Sequence, residues 1–209
     1  TPIPTPMVSM VQYGDEGYWS DYKIKPEGWK VTANSEHTTD KTQNEGPVTN
    51  IIDGKTNTIW HSKYSEGGSG WHDDRTSTKA PFQITIDFGK ELTFRAFSYT
   101  PRSTGQANGR FRHYEFYVAQ TSDELNEKIK INDYLSKGDI NHESALSTLV
   151  VYYAPQTGRF VSILSLNHDG FGTCAEFDLY SDPPATIPAT PFPSPTEKVP
   201  DPTYVYEKD

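Results

Sequence analysis

The sequence predicts an all-β sandwich. Three observations carry that reading. The strongest apolar period is two, the segments that show it are short and separated by long polar loops, and helical periodicity is almost absent. Hydrophobic residues make up only 33% of the chain, yet aromatics reach 13% and gather in the middle, where the period-two segments lie. A strand that buries one face needs a second layer to cover it, so two packed sheets are the stable arrangement.

The elements follow in order. Residues 29–33 open the domain as a strand. Residues 48–52 make one short helical turn before Asp53-Gly54. Residues 82–88 alternate cleanly, with Phe82, Ile84, Ile86 and Phe88 on one face, and Gly89-Lys90 ends this strand as a turn. Residues 93–100, rich in aromatic and β-branched side chains, form the next strand. Residues 111–119 follow, with Tyr114, Phe116 and Val118 on one face. Thr121-Ser122-Asp123-Glu124 resembles a capping box, and one or two helical turns run on through Leu125 and Ile129. Strands over 149–153, 159–166 and 174–180 complete the domain. Trp60 belongs to the core. The loops after Trp60 and after Tyr99 are long and polar, and they leave the scaffold at strand ends, where binding residues gather.

Three regions divide the chain: an N-terminal linker and extension over 1–27, the sandwich over 28–181, and a Pro/Thr-rich tail or linker over 182–209. Pro/Thr runs such as TPIPTP at the start bury too little apolar surface to offset chain entropy. They suggest a piece of a longer, modular protein, secreted or held at a cell surface. Residues 7–25 carry Tyr13, Tyr18, Trp19 and Tyr22 and form either an extra strand or a layer over the sandwich.

A net charge of −9 argues against a nucleic-acid partner, which needs clustered Lys and Arg, and against docking on anionic lipid by charge. No apolar run approaches the roughly 20 residues of a membrane span, so membrane insertion is not expected. Cys174 is the single cysteine; it lies in an apolar stretch and reads as an inert core thiol. No Gly-x-Ser-x-Gly, His-Glu-x-x-His or phosphate loop is present, and no pair of carboxylates can be argued to flank a bond, so no enzyme is expected.

Some side chains on the loops have the chemistry that a sugar would call for. A neutral sugar offers adjacent hydroxyls and an apolar C–H face. It calls for planar hydrogen-bonding groups and an aromatic ring. Arg has a rigid fork of donors, and Asn both donates and accepts. Arg102 and Asn108 bracket one loop and can converge on one ligand. The plainer alternatives are an Asn-Gly turn at Asn108-Gly109, an ion pair of Arg102 with Asp73 or Asp74, and core roles for His61, Phe171 and Trp71. Asp53, Thr58 and Glu176 are hard oxygen donors of the kind calcium takes, against an ordinary Asx turn at Asp53-Gly54.

Four stretches carry a family likeness: DGKTNTIWHS at 53–62, PFQITIDFG at 81–89, YTPR at 99–102 followed by NGR at 108–110 and the strand HYEFYVA, and FGTCAEF at 171–177. In this order they resemble the discoidin family, the coagulation factor 5/8 type C domains, and most closely its family 32 carbohydrate-binding modules, over residues 29–180. The resemblance implies a jelly-roll β-sandwich of the galactose-binding-domain type and a non-catalytic, lectin-like module, monomeric and tethered to other domains. It adds His61, of the Trp-His-Ser motif, to Arg102 and Asn108, and implies glycans ending in galactose or N-acetylgalactosamine as partners. It places the aromatic platform at Phe171, with Trp71 and Tyr64 as further candidate rings. It also implies a structural calcium ion held by the carbonyls of Asn50, Lys55 and Ala175 and the side chains of Asp53, Thr58 and Glu176. A protein- or membrane-adhesion role, as in the clotting relatives, is the alternative; polar loops, acidity and the single cysteine weigh against it. Residues 122–147 depart from the family by their length.

Overall fold

The structure is a computed structural model, described here over residues 10–13, 17–37, 44–63, 81–102, 109–111, 113–139, 148–166 and 171–181. The strands are β1 (Met10–Tyr13), β2 (Lys30–Ala33), β3 (Glu45–Gly46), β4 (Ile59–His61), β5 (Phe82–Thr100), β6 (His113–Ala119), β7 (Ser136–Asp139), β8 (Leu149–Ser165), β9 (Thr173–Cys174) and β10 (Glu176–Tyr180). Helix α1 (Ser122–Ile131) and 3-10 turns at Gly17–Tyr22 and Val48–Ile52 complete the described elements.

β5 and β8 organise the sandwich. The first half of β5 lies between β2 and the second half of β8, which in turn pairs with β6; β7 extends that layer. The second half of β5 lies between β10 and the first half of β8, which pairs with β1. Each long strand therefore contributes to both layers of one antiparallel jelly roll. A small second sheet, β3-β4-β9, sits beside them.

Here the structure corrects the sequence reading. Residues 82–88 and 93–100 are one strand, and so are 149–153 and 159–166. Gly89 does take a positive φ of 73°, but it does not reverse the chain. Asp87 pairs with Phe160 and Leu92 with Gly158, so four residues of β5 bulge opposite Arg159 and bend the strand. The bend is held by Arg159, whose Nε and Nη2 donate to the two Asp87 carboxylate oxygens at 2.8 and 2.9 Å. This pairing holds the Asp87 carboxyl below its ordinary pKa.

The core lies between the layers. Ile84, Ile86, Tyr114, Phe116 and Ile163 of one face Phe97, Val151, Phe177 and Leu179 of the other. Phe97 is at its centre, with ring centroids 4.4 Å from Phe116 and 5.4 Å from Phe177. Each such buried ring contributes on the order of 2 kcal/mol by leaving water.

Both outer faces are also covered, which is why β6 and β10 do not show the simple alternation of half-exposed strands. Thr121 caps α1 by accepting the Glu124 N–H at 3.1 Å, while the Glu124 carboxylate accepts the Gln120 N–H at 2.8 Å. Leu125 and Ile129 then pack on Tyr117, Ala119 and Leu164. The helix runs ten residues, beyond the one or two turns expected, and ends at Asn132 in the left-handed conformation. On the other outer face, Trp19 packs with Ala96, Val150 and Tyr180, its ring 5.9 Å from that of Tyr152. The segment before the sandwich thus supplies both a strand and a covering layer. Its continuation pairs with the end of the domain, with Ile24 N–H on the Leu179 carbonyl and Ser181 N–H on that of Tyr22.

Tyr99 ties the last described part of the fold to the loops. Its hydroxyl donates to the Thr173 carbonyl at 2.9 Å and accepts the Phe111 N–H at 3.1 Å, all buried. Tyr99→Phe leaves both backbone groups unpaired and is expected to cost about 1–3 kcal/mol, read as a lower urea midpoint with an unchanged far-UV spectrum.

Candidate functional site

The site is assembled by short backbone pairings. β4 pairs with β9, Trp60 opposite Cys174 and His61 opposite Thr173. β3 runs parallel to β4 and brings Glu45 alongside. The end of β5 is tied in by the Ala175 N–H on the Thr100 carbonyl, which delivers Arg102 two residues later. The returning loop is pinned by the Thr173 N–H on the Gly109 carbonyl at 2.6 Å. Gly109 has φ of 80°, and a Cβ there would lie 2.6 Å from the Thr173 methyl, so only glycine fits this close approach.

His61 is buried, with 2% of its surface exposed. Its Nδ1 lies 2.6 Å from the Ser62 carbonyl. A carbonyl can only accept, so Nδ1 carries the proton and Nε2 presents its lone pair. Burial pushes the His61 pKa below its ordinary 6.5, against the pull of Glu45, so the ring is neutral at neutral pH. Nε2 lies 3.4 Å from Glu45 Oε1, and Arg102 Nη1 lies 3.7 Å from the same oxygen. The Phe171 ring, half-buried, is 5.3 Å from that of His61, tilted by 59°. Two acceptors, a fork of donors and an aromatic ring thus meet in one place. This is the chemistry that adjacent hydroxyls and a C–H face require.

The structure therefore brings together His61, Arg102 and Phe171. Asn108, Trp71 and Tyr64 lie outside the described residues, although Asn108 precedes the anchored Gly109. Asp73 and Asp74, the alternative partners for Arg102, also lie outside them. Sequence reasoning missed Glu45: a two-residue strand places it in the site, and no local pattern marks it. Trp60 is fully buried, with its ring edge-on to Phe82 and Phe111, as read. Cys174 is buried, its thiol 3.3 Å from the Glu176 carbonyl, and burial pushes it well above the ordinary thiol range. It has no thiolate for nucleophilic work.

A second cluster lies at the start of the same segment. The Lys55 N–H is 2.8 Å from Asp53 Oδ1 and 2.7 Å from Glu176 Oε1. The Thr58 hydroxyl is within 2.8 Å of Asp53 Oδ2 and 2.9 Å of the Lys55 carbonyl. The Lys55 N–H bond to Asp53 Oδ1 is itself the Asx turn expected at Asp53-Gly54, and the Asn50 carbonyl accepts the Asp53 N–H at the end of the 3-10 turn before it. Burial, and a hydrogen bond to Asp53, push the Glu176 carboxyl up to about 8. Two carboxyls crowded with a hydroxyl and a carbonyl make a donor set that suits a hard cation. Among the described residues no three His, Cys, Asp or Glu side chains gather as a metal group, so a cation here would rely on carbonyl and hydroxyl oxygens as well.

A jelly-roll sandwich with a polar and aromatic cluster on its loops defines a class of protein already known. The chain belongs to the F5/8 type C domain family, which matches residues 30–177. Among solved structures, it is similar to CpGH89CBM32-5 from Clostridium perfringens in complex with GalNAc-β-1,3-galactose: 28% identity, TM-score 0.61, covering 76% of this chain and 99% of that one. The family 32 module of C. perfringens NanJ, solved with galactose, shares the fold at TM-score 0.57 and 22% identity, covering 77% and 98% of the two chains. An A type blood N-acetyl-α-D-galactosamine deacetylase from Flavonifractor plautii is 29% identical over 140 residues, 66% of this chain and 15% of that protein. A galactose oxidase from Gibberella zeae is 23% identical over 165 residues, 79% of this chain and 22% of that protein. The chain thus spans less than a quarter of the length of these two relatives.

The Glu176 carboxyl has a measurable consequence. The folded state holds a proton that unfolded Glu176 gives up above its ordinary 4.5. That stabilisation is full below pH 4.5 and is lost as the pH rises through about 8. In excess chelator the melting temperature is expected to fall across this window, and Glu176→Gln to flatten the fall. A flat profile for the unmodified chain would contradict the shared proton.

Proposed function

We propose that this domain is a non-catalytic carbohydrate-binding module that takes terminal galactose or N-acetylgalactosamine of glycans. The observation that carries the reading is the meeting of His61 Nε2 and Arg102 Nη1 on one oxygen of Glu45, beside the Phe171 ring. A sugar hydroxyl donates to the His61 lone pair, and a neighbouring hydroxyl donates to Glu45 and accepts from Arg102. The C–H face lies on Phe171, and Asn108 adds a further donor and acceptor from the same loop as Arg102. The complexes named for similar structures, with GalNAc-β-1,3-galactose and with galactose, support this class of ligand.

Asp53, Thr58 and Glu176, with the carbonyls of Asn50, Lys55 and Ala175, would hold a calcium ion. Its contribution is structural: it neutralises the two carboxyls and ties the loop leading to His61 to the start of β10. The module would act as a secreted or surface-displayed monomer tethered to other domains. A shallow site for one sugar gives weak affinity, with Kd on the order of 1 mM, so several copies on one glycan surface would supply the strength.

Calorimetric titration with galactose, lactose and N-acetylgalactosamine tests the reading. Binding to at least one is expected, with a loss of tenfold or more in Arg102→Ala, His61→Ala and the nearly isosteric Glu45→Gln, each with an unchanged far-UV spectrum. No heat with any of the three sugars would refute it. Because His61 acts as the neutral acceptor, affinity is expected to be flat from pH 8 to 7 and to fall once the pH drops below the ordinary imidazole value of 6.5. For calcium, addition of the ion should remove the stability loss seen in chelator at alkaline pH. Equal melting temperatures with and without calcium at pH 8 would exclude the site.

A further inference from the structure

Ser62 is fully buried and directly follows His61, and no role in the site has so far been given to it. Its polar atoms reach the residues on either side of the site. Its carbonyl lies 2.6 Å from His61 Nδ1. Its N–H donates to the Gly172 carbonyl at 2.9 Å, and its hydroxyl oxygen accepts the Gly172 N–H at 3.0 Å. Gly172 is the residue next to Phe171. It is pressed against the core: a Cβ there would lie 2.7 Å from Trp60 Cη2 and 2.9 Å from Phe82 Cδ2. The backbone that carries Phe171 is thus clamped between the Trp60 and Phe82 rings and Ser62. From the far side, the Ser35 carbonyl accepts the Trp60 indole N–H at 3.0 Å and the Ser35 hydroxyl accepts the Lys63 N–H at 3.0 Å, which fixes the segment on which Ser62 stands.

We propose that Ser62 is a positioning residue of the sugar site: its hydroxyl sets the place of the Phe171 ring relative to His61 without touching the ligand. The inference rests on the reading that Phe171 covers the sugar, but it concerns geometry that exists without sugar. Two groups must be fixed in one frame for a ring face and a hydrogen-bond acceptor to meet one small ligand together. Ser62 fixes both, His61 through its carbonyl and Phe171 through Gly172. A substitution weakens only the second link: it removes the hydroxyl bond to the Gly172 N–H, while the Ser62 carbonyl and the Ser62 N–H bond to the Gly172 carbonyl are retained. Loss of the hydroxyl leaves the Gly172 N–H buried without its acceptor, and the local backbone moves to find another.

The test has two arms. In the sugar-free protein, the His61 ring protons feel the Phe171 ring current, which NMR reads as a chemical shift. Ser62→Ala is expected to move these shifts most of the way towards the values in Phe171→Ala, while the His61 ring nitrogens keep the same tautomer. Ser62→Cys, which leaves no cavity but replaces the oxygen with a larger, poor acceptor, should do the same and guards against a cavity effect. Unchanged His61 shifts in both Ser62 variants would overturn the proposal. In the second arm, Ser62→Ala should weaken binding of the sugar taken by the unmodified chain several-fold, yet cause no further loss in a Phe171→Ala background. Additive losses would overturn it. If the unmodified chain takes none of the three sugars, the functional reading fails and the NMR arm still decides the role of Ser62.

Discussion

The pairing of β4 with β9 is the contact on which the rest depends. Two residue pairs, Trp60 with Cys174 and His61 with Thr173, join a segment near the start of the domain to one near its end. Because strand side chains alternate, the same ladder sends Trp60 into the core and leaves its neighbour His61 facing the loops. A slip of one residue would exchange them, putting a polar ring inside and the indole outside. The Trp60 ring, edge-on to Phe82 and Phe111, holds the register against that slip.

The electrostatics of the site follow from where this ladder leaves it. His61 is buried enough to stay neutral, and a backbone carbonyl, which can only accept, fixes its tautomer. Glu45 is more exposed and lies beside Arg102. The result is a pair of acceptors and a set of donors facing one point, with no full charge buried unpaired. The Glu176 carboxyl is the opposite case: it is buried next to the exposed carboxyl of Asp53, and the proton it holds, or a cation in its place, relieves the conflict.

Much of this was legible in the sequence because it is local. Period-two alternation marked the first half of β5, short apolar segments between polar loops marked the other long strands, and the capping box at Thr121 marked the start of α1. What failed was continuity: Gly89 carries the positive φ that a turn residue would, yet the strand continues because Arg159 holds Asp87 across the bulge. Of residues 7–25, which the sequence left open between a strand and a covering layer, Met10–Tyr13 pair with β8 as a strand and Trp19 lies in the covering layer. Of the site, His61, Arg102 and Phe171 were found through motifs, while Glu45 and Ser62 were not assigned a role, since their contacts run 16 and 110 positions along the chain.

By itself the sequence determined the class of fold, the core rings and the kinds of donors and acceptors at hand, since these depend on side-chain chemistry and on spacing within a strand. Tertiary structure alone decided which of those groups meet. It placed Glu45 between His61 and Arg102, bent two long strands through both layers, and clamped Phe171 beside His61 through Gly172. The reason is physical: each of these outcomes rests on backbone hydrogen bonds and close packing between segments remote in sequence, and such contacts leave no periodic trace in either segment alone.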